Sequence, residues 1–217
     1  MQMQEEREAI IEHCKKLITH GLTVGTGGNI SVFNTEYQLM AISPSGMDYF
    51  TTKPEDIVLT DLDGKVVEGD RKPSTEVDMH RIYYNMRKDV RAVVHCHSMY
   101  STVLASLRMN LPAVNNYIAI AGGYDIRCAE YGTGGTWTLA ENSFRAMEGR
   151  YACFLANHGL LTCAADLPSA FMIAEEVERM AEAYYHAKLL GEPVVLDNSE
   201  VDVILNKNKN YGQVTQK

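Results

Sequence analysis

Apolar positions along the chain alternate between two periods. From residue 4 to about 20 they recur at helical spacing, with Ile10, Ile11, Cys14, Leu17 and Ile18 on one face and Gly21 placed to end the helix. GTGGN follows, then short runs that read as strands, ISVF and LMAIS, and a turn, SPSGM. The stretch DIVLTDLDGKVVEG reads as a hairpin around Asp63-Gly64. TEVDMHRIYYNMR returns to helical period, with Met79, Ile82, Tyr83 and Met86 on one face and Ser74 as its expected N-cap. VRAVVHCHS reads as a strand, YSTVLASL and WTLAENSFRAME as helices, and YACFLANHG as another strand. The longest helix is expected from about Pro168 to Leu190, after Asp166 and before Gly191. A short helix is expected to open the tail from Glu200.

This order is not a clean strand–helix alternation, so a simple parallel doubly-wound sheet is disfavoured. A mixed sheet covered by helices fits better. No internal repeat, low-complexity segment or linker divides the chain.

The strand at residues 90 to 98 carries candidate chemistry. Side chains alternate across a strand, so His95 and His97 share a face and Cys96 points the other way. Two protonated imidazoles there would repel, whereas two neutral ones can share a cation. His158 stands at the far end of the second His-bearing strand, in front of Gly159. Three such rings could form a three-nitrogen cup, a donor set that suits Zn²⁺ and other divalent first-row metals and leaves a position open. Taken singly, each is equally a hydrogen-bonded structural histidine. His13, His20, His80 and His186 lie in helical patterns and read as surface or partly packed.

Three segments, GTGGNIS, SPSG and KPSTE, combine small hydroxyl residues with Gly or Pro. Glycine lets backbone N–H groups approach an anion, and Ser, Thr and Asn add side-chain donors. None matches the GxxxxGK[ST] phosphate loop, and each alone is an ordinary turn. Together they point to a sugar phosphate or similar small anion. Glu76 follows Ser74-Thr75 at a helix start, where the dipole favours a carboxylate with or without a chemical role. The run Glu175, Glu176, Glu178 and Glu182 reads as a solvated face.

The net charge of −8 argues against a nucleic-acid surface but not against a small anion held by backbone amides and a metal. Five cysteines, odd in number and without a CxxC pair, point to a reducing compartment. The polar start MQMQEEREAI does not read as a signal peptide, and no apolar run approaches membrane-spanning length. A cytoplasmic protein without a membrane partner is expected.

TGGNIS, SPSGM, KPSTE, HCHS and NHG, in that order, resemble the class II sugar-phosphate aldolases of the fuculose-phosphate aldolase type. That family also contains ribulose-phosphate 4-epimerases, methylthioribulose-phosphate dehydratases and the non-catalytic adducin head domain. The likeness runs from about Glu6 to near Tyr211. It implies one three-layer α/β/α domain over residues 1–217, with a largely antiparallel sheet and a mobile C-terminal tail from about residue 206. It implies Zn²⁺, or another divalent first-row metal, held by His95, His97 and His158 with Glu76 near or on it. The family's phosphate pocket maps to Gly28, Asn29, Ser45, Gly46, Ser74 and Thr75. A tyrosine acting across a subunit boundary maps to Tyr117, and one on the tail to Tyr211. Homotetramers with active sites between neighbours are implied.

The activity implied is cleavage of a ketose 1-phosphate, such as L-fuculose 1-phosphate, to dihydroxyacetone phosphate and a hydroxyaldehyde such as lactaldehyde. The epimerase branch typically has Asp where this chain has Glu76, whereas the dehydratase branch keeps Glu. An adducin-like scaffold would have lost the metal histidines, and all three are present. YGTGGT places Gly134 where aldolases often carry an aromatic wall of the aldehyde pocket.

Overall fold

The computed structural model describes residues 1–208. Nine strands form one sheet: β1 (Asn29–Asn34), β2 (Leu39–Ile42), β3 (Val58–Thr60), β4 (Val66–Glu68), β5 (Ala92–Cys96), β6 (Leu111–Pro112), β7 (Asp125–Ala129), β8 (Ala152–Leu155) and β9 (Gly159–Ala164). Their spatial order is β4-β3-β2-β1-β5-β9-β8-β7-β6, antiparallel throughout except for the parallel β7–β8 pair. The helices are α1 (Gln4–Thr19), α2 (Val77–Met86), α3 (Met99–Ser106), α4 (Trp137–Ala146), α5 (Leu167–Leu190) and α6 (Asn198–Asn208).

Period-2 alternation sorts the sheet into two buried faces. Ile30, Val94, Cys96, Phe154 and Leu160 face α1, α3 and α5. Val93, Cys153, Leu155, Leu161 and Cys163 face α2 and α4. β5 is therefore covered on both sides, which is why VRAVVHC is apolar almost without a break. The result is the expected three-layer α/β/α arrangement with a mostly antiparallel sheet.

Several expectations need correction. The run YACFLANHG is not one strand. It turns at residues 156–158, where Asn157 takes a left-handed φ of 55° and His158 N–H donates to Leu155 O (2.9 Å). His158 thus sits in the turn between β8 and β9, not at a strand's far end. α2 begins at Val77, with Glu76 rather than Ser74 in the capping position (φ −98°). Ser74 instead accepts from the Glu76 N–H through its Oγ (3.2 Å). Met86, at the last turn of α2, is exposed. His13 and His80, expected at the surface or partly packed, are buried, His80 completely. β6, β7 and a 3-10 turn over Asn116–Ala121 are too short to show a periodic signal. α6 continues to Asn208, and Tyr211 lies outside the described residues.

Candidate active site

The site forms where β1, β5 and the β8–β9 turn end beside the start of α2. Register does the first part of the work. Asn29 pairs with His95 across β1–β5, and directly opposed residues point to one face, here the α2 side. His97 follows one residue past β5, and His158 closes the β8–β9 turn. Their ligand atoms all lie within 4.8 Å of one another. The ring centroids are 4.7 Å (His95–His158), 4.8 Å (His95–His97) and 5.0 Å (His97–His158) apart.

Glycines let the segments close in. A Cβ on Gly28, whose φ is +79°, would lie 2.6 Å from the His95 carbonyl oxygen. A Cβ on Gly159 would run into the Cys96 carbonyl oxygen. Both positions require glycine for the histidine segments to meet. Tyr49 was not singled out by its sequence context. Its buried hydroxyl donates to Gly27 O (3.0 Å) and Gly28 O (2.7 Å), pinning the Gly-rich loop.

Glu76 leans into the cup. Its Oε2 is 3.2 Å from His95 Nε2, and its Oε1 is 3.5 Å from His158 Nε2. Asn29 Nδ2 donates to Oε2 (2.9 Å). Burial raises the Glu76 pKa, but the proximity of His95, the hydrogen bond from Asn29 and the nearby rings of His158 and His80 outweigh it and hold the carboxyl below its usual range. Burial first, then the neighbouring histidines, push His95 down to about 3 against the opposing pull of Glu76. His97 is lowered for the same reasons.

These protonation states test whether a cation fits. His95 Nδ1 must donate to the Leu160 carbonyl (2.9 Å), so the neutral ring leaves Nε2 as a lone pair. That lone pair faces His97 Nε2 at 3.0 Å and the Glu76 carboxylate. Glu76 Oε1 and His158 Nδ1 are buried without a hydrogen-bond partner. The His95 Nε2 lone pair and the partnerless Glu76 Oε1 thus face the same cup of three rings, and a divalent ion held there would satisfy both.

The three Gly/Ser/Thr segments also come together. Pro44 and Pro73 form an isolated antiparallel bridge. Ser45 N–H donates to Lys72 O (3.0 Å), and Ser74 N–H to Ser43 O (3.1 Å). Ser43 N–H donates to Ile30 O (3.0 Å), which places this pair beside the Gly28-Asn29 segment. Ser45, Gly46 and Thr75 are exposed, whereas Asn29 and Ser74 are buried. A Cβ on Gly134 would lie 3.5 Å from Glu76 Oε1 and 4.0 Å from His158 Cε1, so that loop borders the cup without a side chain.

Tyr117 is not brought to the cup within the described residues. Its N–H donates to Asn115 Oδ1 (2.9 Å), and Arg179 sits 5.9 Å over its half-exposed ring. Glu178 corrects another expectation. Rather than facing solvent, its carboxylate caps α3, accepting from Tyr100 N (2.7 Å), Ser101 N (2.9 Å) and Ser101 Oγ (2.8 Å). It thereby fixes the helix that starts just after His97.

Fold, glycine closure and histidine cup define a class II aldolase. Residues 8–185 match the Class II Aldolase and Adducin N-terminal domain, and the chain belongs to that family. It is 52% identical over 213 residues to a 5-deoxy-D-ribulose 1-phosphate aldolase of Bacillus thuringiensis serovar kurstaki, covering 98% of this chain and 100% of the relative. It is 41% identical over 210 residues to a 5-methylthioribulose-1-phosphate/5-deoxyribulose-1-phosphate aldolase of Rhodospirillum rubrum, covering 97% and 94%. A solved structure of an L-fuculose 1-phosphate aldolase superposes with a TM-score of 0.94 at 52% identity, covering 96% of this chain and 98% of that one. The protein is an aldolase and so a lyase, of a metal-dependent class, and its histidine cluster fits that dependence. Among the described residues no helix is long and apolar enough to cross a membrane.

Proposed function

We propose that the protein is a zinc-dependent aldolase that cleaves a ketose 1-phosphate into dihydroxyacetone phosphate and a short aldehyde. The observation that carries this reading is the convergence of three imidazole rings, with the His95 Nε2 lone pair among them, on a buried, partnerless oxygen of Glu76. His95, His97 and His158 would hold the ion, with Glu76 beside it. A divalent cation bound there supplies Lewis-acid stabilisation of negative charge developing on the substrate oxygens.

The chain's own groups supply the rest. Gly28, Asn29, Ser45, Gly46, Ser74 and Thr75 would seat the phosphate and fix the reacting bond near the cup. Cleavage breaks the bond between the third and fourth carbons and leaves the electron pair on the triose fragment as an enediolate. In condensation Glu76, ionised as its lowered pKa supports, would remove the proton from that carbon; in cleavage it would first take up a proton from water and then deliver it to the carbon. Tyr117, exposed on its own subunit, would exchange the proton of the hydroxyl that becomes the aldehyde in a neighbouring site of a homotetramer, accepting it while passing its own to water. Tyr211, outside the described residues, is the second tyrosine assigned a catalytic part.

The activity named for the 52% identical Bacillus relative supports 5-deoxyribulose 1-phosphate as substrate, with acetaldehyde as the second product. L-fuculose 1-phosphate, the sugar expected from the sequence, is the second reading, favoured by the activity named for the superposing structure. Both sugars end in a methyl group, and Gly134 borders the cup without a side chain that would select between their tails. Zinc-loaded protein incubated with each ketose phosphate tests this. The expected result is triose phosphate plus aldehyde, with the higher kcat/KM on the 5-deoxypentulose. An epimerised or dehydrated sugar phosphate without triose phosphate would overturn it.

A further inference from the structure

Behind Glu76 runs a line of polar side chains to which the proposed reaction assigns no step. Glu76, His80 and Tyr84 stand four residues apart on α2 and at its cap. Asn29 and Ser31 stand two apart on β1. Four helical residues advance about 6 Å and two strand residues about 6.6 Å, so the two series interleave like teeth. The resulting contacts are Glu76 Oε2 to Asn29 Nδ2 (2.9 Å), Asn29 Oδ1 to His80 Nε2, His80 Nδ1 to Ser31 Oγ (2.7 Å) and Ser31 Oγ to Tyr84 OH (2.6 Å). All five residues are buried, with His80 and Ser31 fully so.

The anionic end sets the direction of every bond. An ionised carboxylate only accepts, so Asn29 must turn its NH₂ to Glu76 and its carbonyl oxygen to His80. His80 Nε2 must then carry the proton. Its Nδ1 is left as acceptor for the Ser31 hydroxyl, and Ser31 accepts from Tyr84. Burial keeps this ring neutral, pushing its pKa down to about 4 against the raising effect of Glu76. Were the Asn29 amide to flip, its oxygen would face the carboxylate and repel it.

We infer that His80 is a positioning residue: its Nε2–H locks the Asn29 amide in the one orientation that holds Glu76 at the cup. Ser31 and Tyr84 fix the His80 tautomer from behind, so the line is a support that reaches Glu76 from the helix's own third turn. Such outer partners typically change activity about 10–100-fold when removed. This inference rests on Glu76 acting in the proposed aldolase.

Two amide substitutions of similar size separate positioning from packing. His80→Gln places an N–H near the imidazole Nε2 and keeps the bond to Asn29. His80→Asn places its amide near Nδ1 and loses that bond. With metal content matched to the native enzyme, His80→Asn is expected to lower kcat about 10–100-fold with KM within about twofold. His80→Gln is expected to stay within about threefold of native kcat. In an Asn29→Ala background His80→Asn should cost almost nothing further. Equal losses in the two variants, or native kcat in both, would overturn the inference. A second readout is independent of turnover. ¹⁵N NMR of the zinc-loaded full-length protein at neutral pH should show His80 as the Nε2–H tautomer. An Nδ1–H tautomer or an imidazolium would overturn the inference even if every sugar phosphate proved inert, an outcome that by itself would sink only the aldolase reading.

Discussion

Glu76 Oε2 stands 3.2 Å from His95 Nε2, and neither atom holds a proton to give the other. Two acceptors at that distance repel unless positive charge lies between or beside them. The pair therefore ties the proposed base to the proposed metal, because the charge that relaxes the contact is also the one the chemistry needs.

Glu76→Gln keeps the side chain's shape and its oxygen for Asn29. It removes the only carboxylate placed against the histidines among the described residues. Removing a general acid–base of this kind is expected to lower kcat about 10²–10⁴-fold with bound zinc and thermal stability near native. Steady-state kinetics beside metal analysis checks this, and near-native turnover would take the proton-transfer role away from Glu76.

Glu178→Ala leaves two backbone N–H groups and one hydroxyl of α3 without their acceptor. Loss of such a cap typically costs about 0.5–2 kcal/mol, and the charge at the helix start places this one near the upper end. Urea unfolding measures it. A change under about 0.3 kcal/mol, the size of an ordinary surface substitution, would mean that α3 is held by packing alone.

Stability should fall as pH drops through the window between 6.5 and about 4. His80 is neutral in the fold down to about 4, whereas its ordinary value is 6.5. Between those values the unfolded chain binds a proton that the folded chain does not, so folding is favoured by higher pH and weakened by lower pH. The full span of about 2.5 pH units sets an upper bound of about 3–4 kcal/mol. Urea midpoints of metal-free protein across the window should decline for the native chain. The decline should be shallower, by roughly one proton, for His80→Gln. Equal slopes would mean that His80 titrates in the fold as it does in the open chain.

Much of the site was legible because it obeys short periods. His95 and His97 announce a shared face by their spacing, and β5 delivers His95 there. The helices with long apolar stripes appeared close to their expected bounds. Contacts set by register stayed hidden, since Asn29 meets His95 only through the β1–β5 pairing. His80 looked like a helix-surface residue because its helical neighbours alone do not reveal that β1 lies against it. The β8–β9 turn was concealed by the apolar continuity of ACFLANHGL, and only Asn157 hinted at it. Glu178 was hidden in an acidic run of which only Glu182 is exposed.

The histidine cup is tested most directly by crystallography of protein prepared without chelators, with anomalous data collected on either side of the zinc absorption edge. One strong peak is expected, enclosed by His95, His97 and His158 and adjacent to Glu76, and lost after chelator treatment together with aldol cleavage. An absent peak under zinc-replete conditions, with cleavage activity intact, would contradict a metal-dependent mechanism at this site.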